Sequence, residues 1–305
     1  MTPSAPLVGV CVLNWNGLED TIECLQSLRQ STYPNLRRFV LDNGSRIDPA
    51  PLAQQFPEIT LLREPRNLGY AGGNNRAVEA ALAGGCDYVL LLNNDTVVPP
   101  EMIERLMAAY QSLPQVGLLS ARERLHHAPT EPDRLGATWR PRNCTIRWLY
   151  AQEELTEPLE VDAVSGCAVL LSREVAERTG LFDERFFAYW EDTDLSLRVK
   201  AAGYRNFCAG DAYVLHKSGR STGGEGGGPN LPQLYLVCRG QAMIVRKHAR
   251  GGARLLAPLR LLASSMLAAA KSLCKPGYAR EGQAKLDGFR DGWTGRPPRE
   301  RWIKR

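Results

Sequence analysis

Four short apolar runs, each ending abruptly in polar residues, constrain the fold of this chain more than any other feature. LVGVCVL (7–13) gives way to NWNG, RRFVLDNGS (37–45) closes on a polar turn, ITLL (59–62) is shorter, and DYVLLLNND (87–95) ends on Asn93, Asn94 and Asp95. Continuous apolar runs of this length suit strands buried on both faces of a parallel sheet. Helical patterns lie between them. Leu18, Ile22, Leu25 and Leu28 recur at helical spacing, AVEAALAGG (77–85) reads as a helix stopped by glycine, and Met102, Ile103, Leu106 and Met107 follow a helix-opening Pro99-Pro100 pair. The alternation predicts an α/β fold with a mostly parallel central sheet flanked by helices on both faces. Ligands of such sheets bind beyond the carboxyl ends of the strands. Asn14, Asp42 and Asp95, far apart in sequence, are therefore expected to converge.

The second half is less regular. Residues 121–158 are polar and proline-containing and read as an irregular excursion outside the first sheet. VDAVSGCAVLLS (161–172) predicts a strand and REVAERTG a short helix. A second helix carries Leu195, Val199 and Ala202 and stops at Gly203. The glycine-dense stretch 219–230 is expected to be mobile, and the chain from Leu231 to be mainly helical with a basic surface. A length of 305 residues suits one large α/β domain with an appendix. The expected division is a catalytic unit over 1–230 and a helical extension over 231–305 packed against it.

The formal net charge of +5 owes much to Arg246, Lys247, Arg250, Arg254, Arg260, Lys271, Lys275 and Arg280, and the chain ends RPPRERWIKR. That excess suits an anionic ligand or membrane surface, and equally a solvated helix face. No interleaving of basic and aromatic residues points to nucleic acid. The eight cysteines are scattered without a CxxC pair, and Cys11, Cys167 and Cys238 sit in apolar runs, as free buried thiols in a reducing, cytoplasmic setting would. The start, MTPSAPLVGV, has no signal-peptide pattern. LLAPLRLLASSMLAAA (255–270) is interrupted by Pro258 and Arg260 and is shorter than a span needs. It reads as an interfacial helix touching the inner face of the membrane, as a helix packed on the domain, or as a homo-oligomer surface.

Several polar clusters could carry chemistry. Asp42, beyond a strand end and followed by Asn43, Gly44 and Ser45, could accept from a base N–H or simply form an Asx turn. In the stretch 67–75, Gly69, Gly72 and Gly73 permit close backbone approach to a phosphate, with Asn67, Asn74 and Asn75 as polar contacts. Asp95, supplemented by diphosphate oxygens, could hold Mg²⁺ or Mn²⁺, or the cluster could be a turn. Glu191, Asp192 and Asp194 stand where a helix should begin, a position carboxylates favour for dipole reasons alone. As a general base one of them would take a hydroxyl proton, and the helix end would lower its pKa. His216, at another strand end, could complete a metal site or be structural. No zinc spacing and no G-x-S-x-G elbow is present.

Taken in order, VLNWNG (12–17), LDNGS (41–45), RNLGYAGGNN (66–75), LLLNNDT (90–96), VSGCAVLLSREV (164–175) and FDERFFAYWEDTDLSLRVKAAGY (182–204), followed by His216, resemble the family 2 glycosyltransferases, especially the rhamnosyltransferase-like branch. The resemblance implies a GT-A fold and inversion at the anomeric carbon. It implies Asp42 on the nucleotide base, with Leu13 and Asn14 lining that pocket. Asn67, Gly69, Gly73 and Asn74 would lie near nucleotide and diphosphate. Asp95 corresponds to the metal-binding aspartate of the family's DxD element, here Asn93-Asn94-Asp95 with Asn94 beside the donor, and His216 to a metal or diphosphate contact. Asp192 corresponds to the catalytic base, with Glu191 and Trp190 toward the acceptor.

The branch favours dTDP-L-rhamnose as donor, with UDP-linked sugars next. The acceptor would be a cell-envelope polysaccharide, a lipid-linked sugar or a small metabolite. A sugar nucleotidyltransferase and an inactive carbohydrate-binding or scaffold protein are the competing readings.

Overall fold

The computed structural model describes residues 5–153, 155–217, 230–274 and 279–303. The stretch 219–229, expected to be mobile, lies outside the described residues. The predicted first half is present as β1 (Val8–Asn14), α1 (Leu18–Leu28), β2 (Leu36–Asn43), a short α2 (Ala50–Gln55), β3 (Ile59–Glu64), α3 (Gly69–Ala83), β4 (Tyr88–Asn93), a two-residue β5 (Thr96–Val97) and α4 (Met102–Ser112). Then come β6 (Val116–Leu125), β7 (Asp133–Arg140), β8 (Thr145–Ala151), β9 (Leu159–Val161), β10 (Ala168–Ser172) and α5 (Arg173–Thr179). A 3₁₀ turn (Glu184–Phe186), α6 (Glu191–Ala201) and β11 (Arg205–His216) complete the sheet region. The outer helices are α7 (Leu231–His248), α8 (Ala253–Cys274), α9 (Ala279–Thr294) and α10 (Glu300–Ile303).

Among the described residues the sheet has 11 strands, in the order β3-β2-β1-β4-β10-β6-β11-β5, with β7 and β8 running off β6 and β9 off β11. From β3 to β4 it is parallel, in a register that sets Asn14 beside Asp42 and Leu13 beside Asn93. Beyond β4 it is mixed. β10 runs antiparallel to β4 and β6, because the chain returns to it from the β7–β8 hairpin rather than through a helical crossover. The excursion expected to be irregular is thus largely strand. Its period-2 pattern in RLGATWR and TIRWLYA is obscured by the surrounding prolines and charges.

Alternation along the central strands divides the core. Val8, Val10, Val12, Leu90 and Leu92 face one layer with Leu25, Leu28, Ile103 and Leu106. Cys11, Val89 and Leu91 face the other with Ala77, Val78, Val175, Leu195 and Val199. Burying each such side chain is worth about 1.5–3 kcal/mol, so both faces are covered and the polar strand ends are left to line one rim. Seven described cysteines are free thiols. The outer helices dock on the segment before α6 through Arg239, 1% exposed, which donates to the Arg185 and Phe186 carbonyls and to that of Arg296.

One glycine reports how tightly α6 sits on the sheet. A Cβ at Gly117 would lie 2.1 Å from Val199 Cγ1 and 2.9 Å from Tyr204 Cβ. Gly117→Ala is expected to destabilise the fold by about 1–3 kcal/mol through overpacking. That should appear as a lower urea midpoint with an unchanged slope. An unchanged midpoint would mean that α6 can shift outward without loss.

Candidate active site

Beyond the carboxyl ends of β1, β4, β6 and β11 lies a cavity of about 580 Å³. Leu13, Asn67, Gly69, Asn94, Asp95, Glu191, Asp192 and His216, all singled out in the sequence, line it. A second cavity, about 880 Å³, lies at the other end of β4 between Tyr88, Tyr110, Arg173 and Tyr204. None of the polar strand-end clusters reaches it, so it is not where the chemistry converges.

The short antiparallel pairing of β5 with the end of β11 sets Thr96 opposite His216 and so brings Asp95 to the imidazole. His216 Nε2 is 3.1 Å from Asp95 Oδ1, and His216 Nδ1 is 2.7 Å from Glu123 Oε1. Glu123 also accepts from Ser165 Oγ at 2.7 Å and from Arg134, whose guanidinium lies over the Trp148 ring. Burial works against the imidazolium, but the Asp95 and Glu123 carboxylates more than offset it and hold the His216 pKa well above the histidine range. Burial opposes ionisation of Glu123 too, yet His216 and Arg134 bring its pKa down to about 2.

A divalent cation fits this donor set. Asp95 Oδ1 and His216 Nε2 stand at about the 3 Å spacing of adjacent donors in an octahedral shell of about 2.1 Å radius. The Nδ1 contact with Glu123 fixes the ring, so that a cation displacing the Nε2 proton would find Nε2 as the ligand atom. Cys167 completes a group with Glu123 and His216 whose donor atoms lie within 4.8 Å of one another. Burial pushes its thiol up to about 11, so it is a neutral sulfhydryl at neutral pH and a poor ligand for a hard cation.

Across the same pocket Asp192 Oδ2 accepts from the Gly166 N–H at 3.1 Å and Oδ1 from the Thr193 N–H at 2.6 Å. The helix start was expected to lower its pKa. The shift is upward, because burial outweighs the N–H donors. Glu191 is 6% exposed, its Oε2 has no hydrogen-bond partner, and burial followed by repulsion from Asp192 pushes its pKa well above the carboxylate range. Asp194 points elsewhere. Fully buried, it meets Arg198, Lys247 and His248 at 2.7–2.9 Å and fastens α6 to α7.

Other expected site residues are placed differently. Asn14 and Asp42 are buried under the pocket floor, with Asn14 Nδ2 donating to Asp42 Oδ1 at 2.7 Å and the Ser45 N–H donating to Asp42 Oδ2. Both carboxylate oxygens already have partners, and neither residue lines the cavity.

The stretch from Gly69 is not a loop but the first turns of α3. Gly73 packs on Leu13, where a Cβ would come within 2.5 Å of Cδ1, and Asn74 donates back to the Tyr70 carbonyl. Neither faces the cavity. Asn67 Oδ1 accepts from the Gly69 N–H and from Asn43, pinning the helix start. Asn94 lines the cavity while its amide donates to Thr21 and Gly17. Trp190 packs inward against Gly240, Phe186 and Met243, away from the cavity, because its own left-handed backbone turns the ring toward α7.

Several lining residues went unread in the sequence: Tyr70, Glu123, Arg134, Trp148, Tyr189 and, from the outer helices, Leu236 and Ile303. Glu123 carried a usable signal, being polar and near the end of an apolar run like the others. Tyr70 bridges the site, its hydroxyl 3.0 Å from Asn93 Oδ1 and 2.7 Å from the Gly166 carbonyl.

Residues 9–180 match the sequence profile of Glycosyl transferase family 2. The chain is 33% identical over 251 residues to an N-acetylglucosaminyl-diphospho-decaprenol L-rhamnosyltransferase of Mycobacterium tuberculosis, covering 73% of this chain and 79% of that one. The fold is shared with a mannosyltransferase of Pyrobaculum calidifontis solved with GDP-Man and Mn²⁺, at 18% identity and a TM-score of 0.59, over 95% of this chain and 88% of that one. It is also shared with GalNAc-T7 solved with UDP, GalNAc and Mn²⁺, at 13% identity and a TM-score of 0.64, over 96% and 56%. At these identities the two structures speak to the fold alone.

The elevated Glu191 pKa has a consequence for stability. A carboxyl whose pKa is raised on folding binds more protons folded than unfolded, so stability falls as pH rises from the ordinary carboxylate range toward the raised value. Glu191→Gln removes that penalty. It is expected to be more stable than the parent at neutral pH by about 1 kcal/mol or more, with the gain vanishing toward acid, in thermal melts across pH. A parent-like melting profile at every pH would show that Glu191 is not held in its neutral form.

Proposed function

The chain belongs to glycosyl transferase family 2, and on that premise we propose that it inverts the anomeric carbon of a nucleotide-sugar donor, with Asp192 as the base that activates the acceptor hydroxyl. The single observation that carries the reading is the shared cavity, in which Asp192 lies together with the Asp95–His216 pair. Asp192 is held by two backbone N–H groups, which fix its direction without consuming all its lone pairs. Its raised pKa brings its basicity closer to that needed at neutral pH. Glu191, which lines the cavity and keeps one buried carboxylate oxygen unpartnered, is the natural contact for an acceptor hydroxyl. On the donor side, Leu13 and Asn67 line the cavity, while Asn14 and Asp42 stiffen the floor from beneath. Asp95 and His216 would hold Mg²⁺ or Mn²⁺, and a cation there offsets charge growing on the departing nucleoside diphosphate.

For the donor we propose dTDP-L-rhamnose and, for the acceptor, a glycan or lipid-linked sugar of the cell envelope. The mycobacterial relative supports this choice, since its name specifies an L-rhamnosyl transfer onto a lipid diphosphate sugar.

The test is release of nucleoside diphosphate across a panel of nucleotide sugars with Mg²⁺ or Mn²⁺. Selective turnover of dTDP-L-rhamnose is expected. Selective turnover of a UDP sugar would keep the mechanism and discard the rhamnosyl donor. Asp192→Asn is expected to bind donor as the parent does and to lose transfer by about 10²–10⁴-fold. Transfer at the parental rate would remove Asp192 from the role. Asp95→Ala is expected to abolish the metal's contribution to donor affinity in calorimetry, and an unchanged metal dependence would reject its part.

A further inference from the structure

Helix α8 is built inside out. The residues turned toward the protein are mostly small: Ala253, Ala257 and Leu261 pack with Val245 of α7, with Ala249 just past its end and with Cys144 and Trp139 near the β7–β8 turn, and Ser265 is buried. The large apolar side chains turn outward. Leu255, Leu256, Leu259, Met266 and Leu267 are 51–73% exposed. At 3.6 residues per turn they fall within an arc of about 120°. A surface helix that ends at water carries the opposite pattern, and a contiguous exposed apolar face marks an interaction site.

The charge around this face selects its occupant. Arg260 is exposed about 20° beyond the edge of this arc at 3.6 residues per turn, and the helix carries no Asp or Glu. Two copies of the chain joined about a twofold axis through this face would each present a cation and no α8 carboxylate to answer it. An anionic lipid surface supplies both the apolar medium and the negative charge. We propose that the outer face of α8 lies in the headgroup region of an anionic bilayer, with the helix parallel to the membrane plane.

By length and composition Ala253–Ala270 would also qualify as a span, and 11% of it is buried. Crossing would draw Pro258 and Arg260 into hydrocarbon and strip the inward face from α7 and the hairpin. An interfacial helix needs neither. The inference does not rest on the reading of the cavity, because capture by lipid requires no donor and no metal.

The experiment is sedimentation of the full chain with vesicles of phosphatidylcholine alone and of phosphatidylcholine mixed with phosphatidylglycerol. Capture is expected on the mixed vesicles, stronger by about fivefold for each engaged arginine and weakened by salt. The triple variant Leu255→Gln, Leu259→Gln, Met266→Gln should stay in the supernatant. Arg260→Gln should weaken capture on the anionic vesicles by about fivefold, which keeps the test alive if the triple variant folds poorly. Parent chain left in the supernatant with both vesicles would overturn the proposal. So would a triple variant that sediments like the parent. Light scattering that shows a parental dimer, a monomeric triple variant and no vesicle capture would assign the face to a second copy of the chain instead.

Discussion

The hydrogen bond from the Ala71 N–H to the Phe187 carbonyl, 3.0 Å long, joins the first turn of α3 to the segment that launches α6. Gly69 makes it reachable. Its φ is +78°, and a Cβ there would sit 2.4 Å from the same carbonyl. Phe187, Tyr189 and Trp190 all have positive φ values, between 68° and 73°. Such conformations cost about 1–3 kcal/mol each for residues with a side chain, and they are held because the surroundings leave no alternative. Phe186 is buried against Met243 and Ile244, and Arg239 takes the carbonyls of Arg185 and Phe186. Glu191 and Asp192 enter the cavity from the end of this strained segment, so their position is set by α3 on one side and α7 on the other.

The two sides of the cavity handle charge differently. Around His216, opposite charges are paired: Glu123 is stabilised as a carboxylate and the imidazole as a cation. At Glu191 and Asp192 burial prevails and raises both pKa values, Glu191 well above the carboxylate range. Two kinds of carboxylate environment a short way apart are what acid–base work beside a charged leaving group calls for. The difference comes from partners, since Glu123 meets Arg134 and His216 whereas Glu191 is buried beside Asp192 with one oxygen unpartnered.

Much of this was legible in the sequence. A strand buried on both faces leaves a continuous apolar run, so its polar end is visible without a structure, and Asp95 and His216 could each be placed at a strand end, whereas Asp192 stood at a helix start and took its role from the family resemblance. The 67–75 stretch misled because glycine and asparagine are poor helix formers. Packing against Leu13, Asn43 and Phe187 overrides that propensity in α3. The Asp192 pKa misled for a related reason: a helix terminus can be read from sequence, whereas burial depends on what folds over it. Glu123 stood near the end of an apolar run and was passed over, Arg134 was hidden in a polar, proline-containing stretch, and Leu236 and Ile303 were missed because nothing local in an outer helix says that it reaches the site.

The buried Asp194 makes one more demand on the chain. Its carboxylate stands two residues past Asp192 and is answered by Arg198 within α6 and by Lys247 and His248 at the end of α7. A fragment ending before α7 would strand that carboxylate with a single cation and would strip the cover from Phe186. The smallest piece of this protein able to hold a working α6 therefore extends through His248, well past the last strand of the sheet.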